Sequence, residues 1–160
     1  EEVMSYVFNN MGAMLLGRRT YDIFADYWPH AGNGSQELID EGDSSIAKLM
    51  NSVPIYVASH ANSIKEWDGG DVTHLQDIAK EVTELKHQDG KDIIVWGSGD
   101  FVQTLIKEQL VDEFVLTIHP LVLGTGKKLF REGLPKIELD VVSSRVLKNG
   151  VIAVTYAVKK

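Results

Sequence analysis

Residues 93–107 read IIVWGSGDFVQTLIK and give the clearest indication of the fold. The apolar run 93–96 predicts a buried strand, and the apolar positions after residue 100 recur at the spacing of one helix face. Gly97 and Gly99 lie in the turn between them, where bare backbone N–H groups and the positive end of a helix suit a phosphate group. The segment therefore predicts a strand, a phosphate-binding turn and a helix, although such turns also occur without a ligand.

A second turn of this kind lies upstream, where the apolar run 13–16 ends at Gly17. Arg18, Arg19 and Thr20 follow it and open a predicted helix. Arginine binds phosphate well because its planar guanidinium offers two parallel N–H groups. The simpler alternative is a pair of solvated arginines beside an ordinary threonine cap.

A third polar segment, Ser59 and His60, follows the apolar run 54–58 and by itself is only a loop. All three segments come directly after predicted strands, and open α/β sheets bind ligands beyond the carboxyl ends of their strands. Together they predict a site for an elongated ligand that carries two separated phosphate groups.

Helix and strand patterns alternate along the rest of the chain; they predict helices at 2–10, 21–28, 45–50 and 78–85, a strand at 114–118 and a loop over 30–43. The dipeptide Asn149-Gly150 lies between two apolar runs, which is a strong signal for a β-hairpin. We predict a single domain over residues 1–160. Its class is α/β, with helices on both faces of a mixed sheet that ends in an antiparallel hairpin.

The composition excludes several classes of function. The 160 residues include no cysteine, which excludes disulfides, catalytic thiolates and cysteine-based metal sites. The net charge of -7 argues against a general nucleic-acid binder, and no apolar run approaches the ~20 residues that span a bilayer. The five histidines are scattered, so we predict no metal site. We expect a cytoplasmic protein, and the residues assign no catalytic group.

The turns described above resemble those of a known superfamily. Residues 15–21 resemble the Gly-Arg-x-Thr segment of dihydrofolate reductases, and residues 95–101 resemble their glycine-rich cofactor turn. Residues 110–130 are similar to the C-terminal reductase domain of the bifunctional riboflavin-biosynthesis deaminase-reductase and to its stand-alone bacterial relatives. The resemblance covers almost the whole chain. It implies a three-layer, dihydrofolate-reductase-like fold, NADPH as cofactor and a homodimer.

The resemblance also implies site residues. Contacts with the phosphates, the ribose 2′-phosphate and the nicotinamide ribose of NADPH fall on Gly17, Arg18, Arg19, Thr20, Ser59, His60, Gly97, Ser98, Gly99, Asp100 and Phe101. The substrate pocket falls on Met4, Phe8, Phe24, Trp28 and Thr117; core packing is the simpler interpretation of the four apolar ones, and Thr117 matches a threonine that orients a pterin in dihydrofolate reductases.

The sequence departs from the family pattern in two places. Trp96 replaces the first glycine of the Gly-Gly pair of dihydrofolate reductases, so these residues do not by themselves predict the cis peptide that the pair forms. The first strand of the family would lie upstream of Glu1, and we expect it to be missing from this sequence.

The sequence leaves two functions open. The resemblance favours an NADPH-dependent reductase of a small heterocyclic or imine substrate, with 5-amino-6-(5-phosphoribosylamino)uracil reduction as the nearest analogy. Hydride transfer mainly requires correct placement of cofactor and substrate, which is compatible with a chain that has no obvious set of catalytic residues. The alternative is a non-catalytic or repurposed nucleotide-binding protein that retains the cofactor cleft.

Overall fold

Helices alternate with parallel strands in the first part of the chain. The computed structural model describes residues 2–31 and 41–160, and the chain comprises two compact units, Glu1–Val102 and Gln103–Lys160. The elements of the first unit are α1 (Glu2–Asn10), β1 (Met11–Gly17), α2 (Arg18–Tyr27), α3 (Glu41–Ser52), β2 (Ile55–Ala58), β3 (Val72–Leu75), α4 (Ile78–Lys86) and β4 (Asp92–Gly97). Helix α5 (Gly99–Lys107) runs from the first unit into the second. The single domain over 1–160 stays a prediction.

The strands of the first unit form one sheet in the order β3-β2-β1-β4, and all neighbours are parallel. Strand β1 is interior, and its nearly continuous apolar sequence is the one that a strand buried on both faces needs. Met14 and Leu16 are 0% exposed and join Ile55 and Val57 of β2 in the core. This sheet confirms the α/β class and the strands predicted from the apolar runs.

The second unit contains an antiparallel sheet in the order β5-β7-β6, formed by β5 (Glu113–Ile118), β6 (Leu139–Val146) and β7 (Ile152–Val158). In the turn between β6 and β7 the N–H of Leu147 donates to the carbonyl of Val151 at 2.8 Å. Gly150 in that turn has a φ of +81°, which glycine adopts without strain. The predicted C-terminal hairpin is confirmed.

Three elements differ from the sequence analysis. Strand β3 is not predicted, because its four residues carry only two apolar side chains. Strand β5 is predicted as the end of the parallel region but pairs antiparallel with β7, a long-range choice that the local pattern does not specify. Helix α3 begins at Glu41, inside the predicted loop 30–43; Gly32 and Gly34 of that loop lie outside the described residues.

Tyr21 is a buried titratable residue that makes the stability of the core depend on pH. Its side chain is 0% exposed, and its hydroxyl donates to the carbonyl oxygen of Lys65 at 2.6 Å. Burial raises the pKa of Tyr21 above its ordinary value of 10.0, and the negative charges of Asp22 and Glu66 raise it further.

The raised pKa of Tyr21 predicts a loss of stability in alkali. The phenol keeps its proton in the native state at a pH where the unfolded chain has released it, so stability falls as pH rises past about 10 and through the higher native pKa. Tyr21→Phe is expected to lose about 0.5–1.5 kcal/mol of folding free energy near pH 7, because it removes the hydrogen bond to Lys65. Its stability should then decline less steeply above pH 10 in urea unfolding. Tyr27→Phe, at a residue 43% exposed, should keep the wild-type slope; equal slopes in all three proteins would contradict the prediction.

Candidate functional site

The carboxyl ends of three neighbouring strands lie at one edge of the parallel sheet. The register places Gly17 of β1 beside Ala58 of β2, and Leu16 beside Gly97 of β4. Because these strands are parallel, the residues that follow them leave the sheet at the same edge. The structure thus brings the segments 17–20, 59–60 and 97–101 to one place, which we name the strand-end site.

The turns after β1 and β4 approach each other closely through glycine. A Cβ atom on Gly17 would lie 2.7 Å from Ser98 Oγ and 2.9 Å from both the Ser98 nitrogen and the Phe101 Cβ. Gly97 has a φ of +132°, and a Cβ there would lie 3.0 Å from Thr20 Oγ1. The peptide bond between Gly97 and Ser98 is cis. Any side chain at Gly17 would push the two turns apart, which explains why glycine occupies this position.

The first residues of α2 offer cationic and N–H groups at this edge. Gly17 is the N-cap and has no side chain to accept from the first N–H groups of the helix. The Arg18 Nε lies 3.6 Å from Asp22 Oδ2, and 51% of the Arg18 side chain is exposed. An exposed ion pair of this kind contributes only about 0–1 kcal/mol. The guanidinium can therefore exchange this contact for an anion, and Arg19 beside it is also exposed.

The segment after β2 is fixed by β3. Ser59 is 9% exposed; its N–H donates to the Leu75 carbonyl at 3.2 Å, and its hydroxyl accepts from the Ala61 N–H at 3.1 Å. The Nε2 of His74 lies 2.9 Å from the Ser59 carbonyl oxygen, while His60 is exposed. The sequence pattern does not identify His74, because it does not predict β3. The only available signal was the alternation Val-Thr-His-Leu after the Gly69-Gly70 turn.

The remaining cofactor candidates lie at the start of α5. The N–H of Val102 donates to the Ser98 carbonyl at 3.0 Å, which closes the first turn of the helix. Asp100 is exposed, and Phe101 is 7% exposed beside Gly17. Phe101 is therefore buried behind the turn, next to Gly17.

Four of the five substrate-pocket candidates belong to the first unit. Phe8 of α1 lies 5.6 Å from Trp96 between ring centroids, and Phe24 lies 6.2 Å from Trp28. All four of these rings pack against the buried core cluster, whereas Met4 is 40% exposed. Core packing thus accounts for the contacts of the three predicted aromatic residues, and their role in a pocket stays a prediction.

Thr117, the fifth candidate, belongs to β5 of the second unit. It is exposed, and its Oγ1 lies 3.5 Å from His119 Nε2. Its role toward a substrate also stays a prediction. Within residues 2–31 and 41–160 no group of three potential metal ligands occurs. The helices in the same ranges include none that is both long and apolar enough to cross a membrane.

Solved structures with the same fold come from several bacteria. A protein from Shewanella sp. PV-4 that is named for riboflavin biosynthesis matches with a TM-score of 0.71 and 20% identity, over 100% of this chain and 81% of its own. A pyrimidine reductase-like protein from Corynebacterium diphtheriae matches with a TM-score of 0.57 and 18% identity, over 93% and 76%. At these identities the likeness shows the fold alone.

The Thermotoga maritima diaminohydroxyphosphoribosylaminopyrimidine deaminase/5-amino-6-(5-phosphoribosylamino)uracil reductase matches with a TM-score of 0.59 and 13% identity. The match covers 99% of this chain and 49% of the Thermotoga protein, so the chain spans about half of that bifunctional enzyme.

Sequence relatives lead to the family. The uncharacterized protein YyaP of Bacillus subtilis (strain 168) is 34% identical over 148 residues, which are 92% of this chain and 74% of YyaP. YwjB of the same strain is 39% identical over 62 residues, 38% of this chain and 36% of YwjB. The family described as RibD C-terminal domain matches residues 1–153, nearly the whole chain. The resemblance inferred from the turns is therefore confirmed, and the chain belongs to the RibD C-terminal domain family.

Proposed function

We propose that this protein is an NADPH-dependent reductase that transfers a hydride to a small heterocyclic or imine substrate. The observation that carries the proposal is the strand-end site, where Gly17 contacts Ser98 and lies beside Ala58 in the sheet. One elongated dinucleotide could contact all three segments there. Membership of the RibD C-terminal domain family, and the reductase names of the solved structures with the same fold, support the same class of reaction.

The residues at the strand-end site fit the chemistry of this cofactor. Arg18, Arg19 and the N–H groups that begin α2 would bind phosphate oxygens, because guanidinium and helix N-termini both favour anions. Thr20 Oγ1 lies next to Gly97, so its hydroxyl and the backbone of the 97–99 turn could share one phosphate. Ser59 and His60 would lie by the ribose 2′-phosphate.

Catalysis by this chain would consist mainly of placement. The bound cofactor supplies the hydride, and the protein must hold the acceptor carbon close to it while excluding water. The rings of Phe8 and Trp96 next to the glycine turn offer an apolar wall for that purpose. Met4, Phe24 and Trp28 would complete the pocket within the first unit, and the role of Thr117 toward a substrate stays a prediction. We assign no acid or base, and we propose pyrimidine reduction of the riboflavin-pathway type as the nearest analogy.

Titration with NADPH tests the proposal directly. The chain has three tryptophans, Trp28, Trp67 and Trp96, and all belong to the unit that carries the strand-end site, so their fluorescence should report binding. We expect saturable micromolar binding of NADPH that is much tighter than that of NADH. A panel of pyrimidine, pterin and imine compounds, followed by absorbance at the NADPH band, should then reveal oxidation. Binding without oxidation would indicate the repurposed nucleotide-binding protein, and no binding would contradict both functions.

Arg18→Ala is expected to weaken the binding of NADPH by about 1.5–3 kcal/mol, the range for a hydrogen bond to a charged group. The measurement is the dissociation constant from the same fluorescence titration. Lys48→Ala is a matched control, because it removes an exposed cation from α3. The last residue of α3 leads to the amino end of β2, whereas the strand-end site lies at the carboxyl ends of the strands. An affinity that is unchanged in Arg18→Ala would mean that the guanidinium is only solvated.

We also propose that the protein forms a homodimer, as the resemblance implies. In the second unit Ile118, Ile152 and Val146 lie side by side on one face of the three strands and are 54%, 40% and 71% exposed. Exposed apolar residues in a row are typical of an association surface. Sedimentation equilibrium would measure the oligomeric state, and a monomer at all concentrations would contradict the proposed dimer. The cytoplasmic location stays a prediction.

A further inference from the structure

The segment that follows β2 is held by a side chain from β3. His74 is paired with Val57 in the sheet, and its Nε2 lies 2.9 Å from the carbonyl oxygen of Ser59. A carbonyl oxygen can only accept a hydrogen bond, so the Nε2 of His74 must carry the proton. The N–H of Ser59 donates to Leu75 on the same strand at 3.2 Å. Both backbone groups of Ser59 are therefore bound to β3.

This double attachment fixes the orientation of the next peptide. The cis peptide of the described chain lies at Gly97–Ser98, so the bond between Ser59 and His60 is trans. In a trans peptide the C=O and N–H groups point in opposite directions. Since the Ser59 carbonyl points to His74 on β3, the N–H of His60 points to the side away from β3. Strand β1, with Gly17 at its end, lies on that side of β2.

The N–H of His60 is available as a donor. It makes no hydrogen bond within residues 2–31 and 41–160, and the side chain of His60 is exposed. The hydroxyl of Ser59 already accepts from Ala61, which holds the loop in a tight turn. A phosphate at this position would thus meet a backbone N–H whose direction is set before the ligand arrives, and such preorganised donors cost little ordering entropy on binding.

We propose that His74 is a positioning residue for NADPH selectivity: by holding the Ser59 carbonyl, it presents the His60 N–H to the 2′-phosphate of the cofactor. The inference rests on the proposed function, because it concerns the same strand-end site. It adds a residue on β3 that does not touch the cofactor and a specific backbone donor that does. The group recognised is a phosphomonoester on the adenosine ribose, which NADPH and 2′,5′-ADP carry and which NADH and 5′-ADP lack.

Two substitutions separate this role from general packing. His74→Leu removes the donor at similar size, and His74→Gln keeps an N–H donor at about the same reach. In His74→Leu we expect NADPH and 2′,5′-ADP to bind about tenfold more weakly, the lower end of the effect of a hydrogen bond to a charged group. NADH and 5′-ADP should change by less than about twofold. His74→Gln should restore most of the preference for the 2′-phosphate.

His87→Leu is the matched control, since His87 also contacts a backbone carbonyl, that of Thr83 at 2.7 Å, but lies at the end of α4 that leads to the amino end of β4. Its ligand preference should equal that of the wild type. If His74 had only a structural role, His74→Leu would weaken the binding of NADPH and of NADH equally. The ratio of the two affinities would then be unchanged, and that result would overturn the inference.

A measurement on the wild type keeps the test independent of folding in the variants. In an amide ¹⁵N–¹H spectrum the His60 N–H should move strongly downfield with 2′,5′-ADP and remain in place with 5′-ADP. An unmoved His60 amide with bound 2′,5′-ADP would overturn the inference and leave the proposed function intact. A wild type that binds neither NADPH nor 2′,5′-ADP would instead remove the proposed function, and the inference with it.

Discussion

Gly17→Ala is expected to weaken NADPH binding at least tenfold, an effect of about 1.4 kcal/mol or more. The added Cβ would meet Ser98 Oγ, the Ser98 nitrogen and the Phe101 Cβ at 2.7–2.9 Å, distances that real Cβ atoms do not reach. Gly17 has a φ of -72°, which alanine adopts freely, so the effect comes from contact and not from backbone conformation. The turn after β4 must then shift away from α2, and the two turns would no longer form the dinucleotide site that we propose.

The control for this prediction lies on the same strand. Gly12 is near the other end of β1, and a Cβ there would lie 2.8 Å from the Cβ of Lys91. Overpacking of this kind costs about 1–3 kcal/mol of stability, so both Gly12→Ala and Gly17→Ala should unfold at lower urea concentration. Only Gly17→Ala should lose affinity for NADPH when both are measured at a temperature where they are folded. Equal affinities in the two variants would show that the 97–99 turn does not bind the cofactor.

Leu16→Ala is expected to lose about 2–5 kcal/mol of folding free energy, the range for large-to-small changes in a core. Leu16 is 0% exposed, lies in the interior strand β1 and is paired with Val57 and Gly97 on its two sides. Neighbouring strands on both sides restrict collapse around the cavity, which places the expected loss in the upper half of that range. For a domain with about 5–15 kcal/mol of total stability this is a large fraction.

Urea unfolding followed by tryptophan fluorescence measures the loss, because every tryptophan lies in the unit that contains β1. Ile23→Ala is the control: Ile23 is 67% exposed on α2, and its truncation should change the stability by less than about 0.5 kcal/mol. A Leu16→Ala protein as stable as Ile23→Ala would contradict the assignment of β1 as the centre of the core.

Apolar runs made the parallel strands predictable. The runs 13–16 and 54–58 are nearly continuous because β1 and β2 are interior strands of a parallel sheet and are buried on both faces. The run 93–96 is equally apolar although β4 is an end strand of the same sheet. Strand β3 lies at the other end of the sheet, and its residues alternate between apolar and polar over only four positions. Such a short alternation carries little signal. The sequence does not identify His74 for the same reason, because the role of His74 depends on the pairing of β3 with β2.

The pairing of β5 was not predictable for a different reason. Its sequence fits any buried strand, and the choice between a parallel and an antiparallel partner depends on the position of the β6–β7 hairpin. The cis peptide is a similar case. The sequence departs from the family at Trp96, yet the structure has a cis bond between Gly97 and Ser98.

By itself, the amino-acid sequence determined the α/β class, the turns at 17–20 and 97–101 and the terminal hairpin, because periodicity, glycine and Asn-Gly act over a few neighbouring residues. Tertiary structure alone decided that Gly17 contacts Ser98 and that His74 holds Ser59. These contacts join residues from different strands, and no local preference determines which strands become neighbours in the sheet. The strand-end site is therefore made of locally predictable turns that only the order β3-β2-β1-β4 brings together.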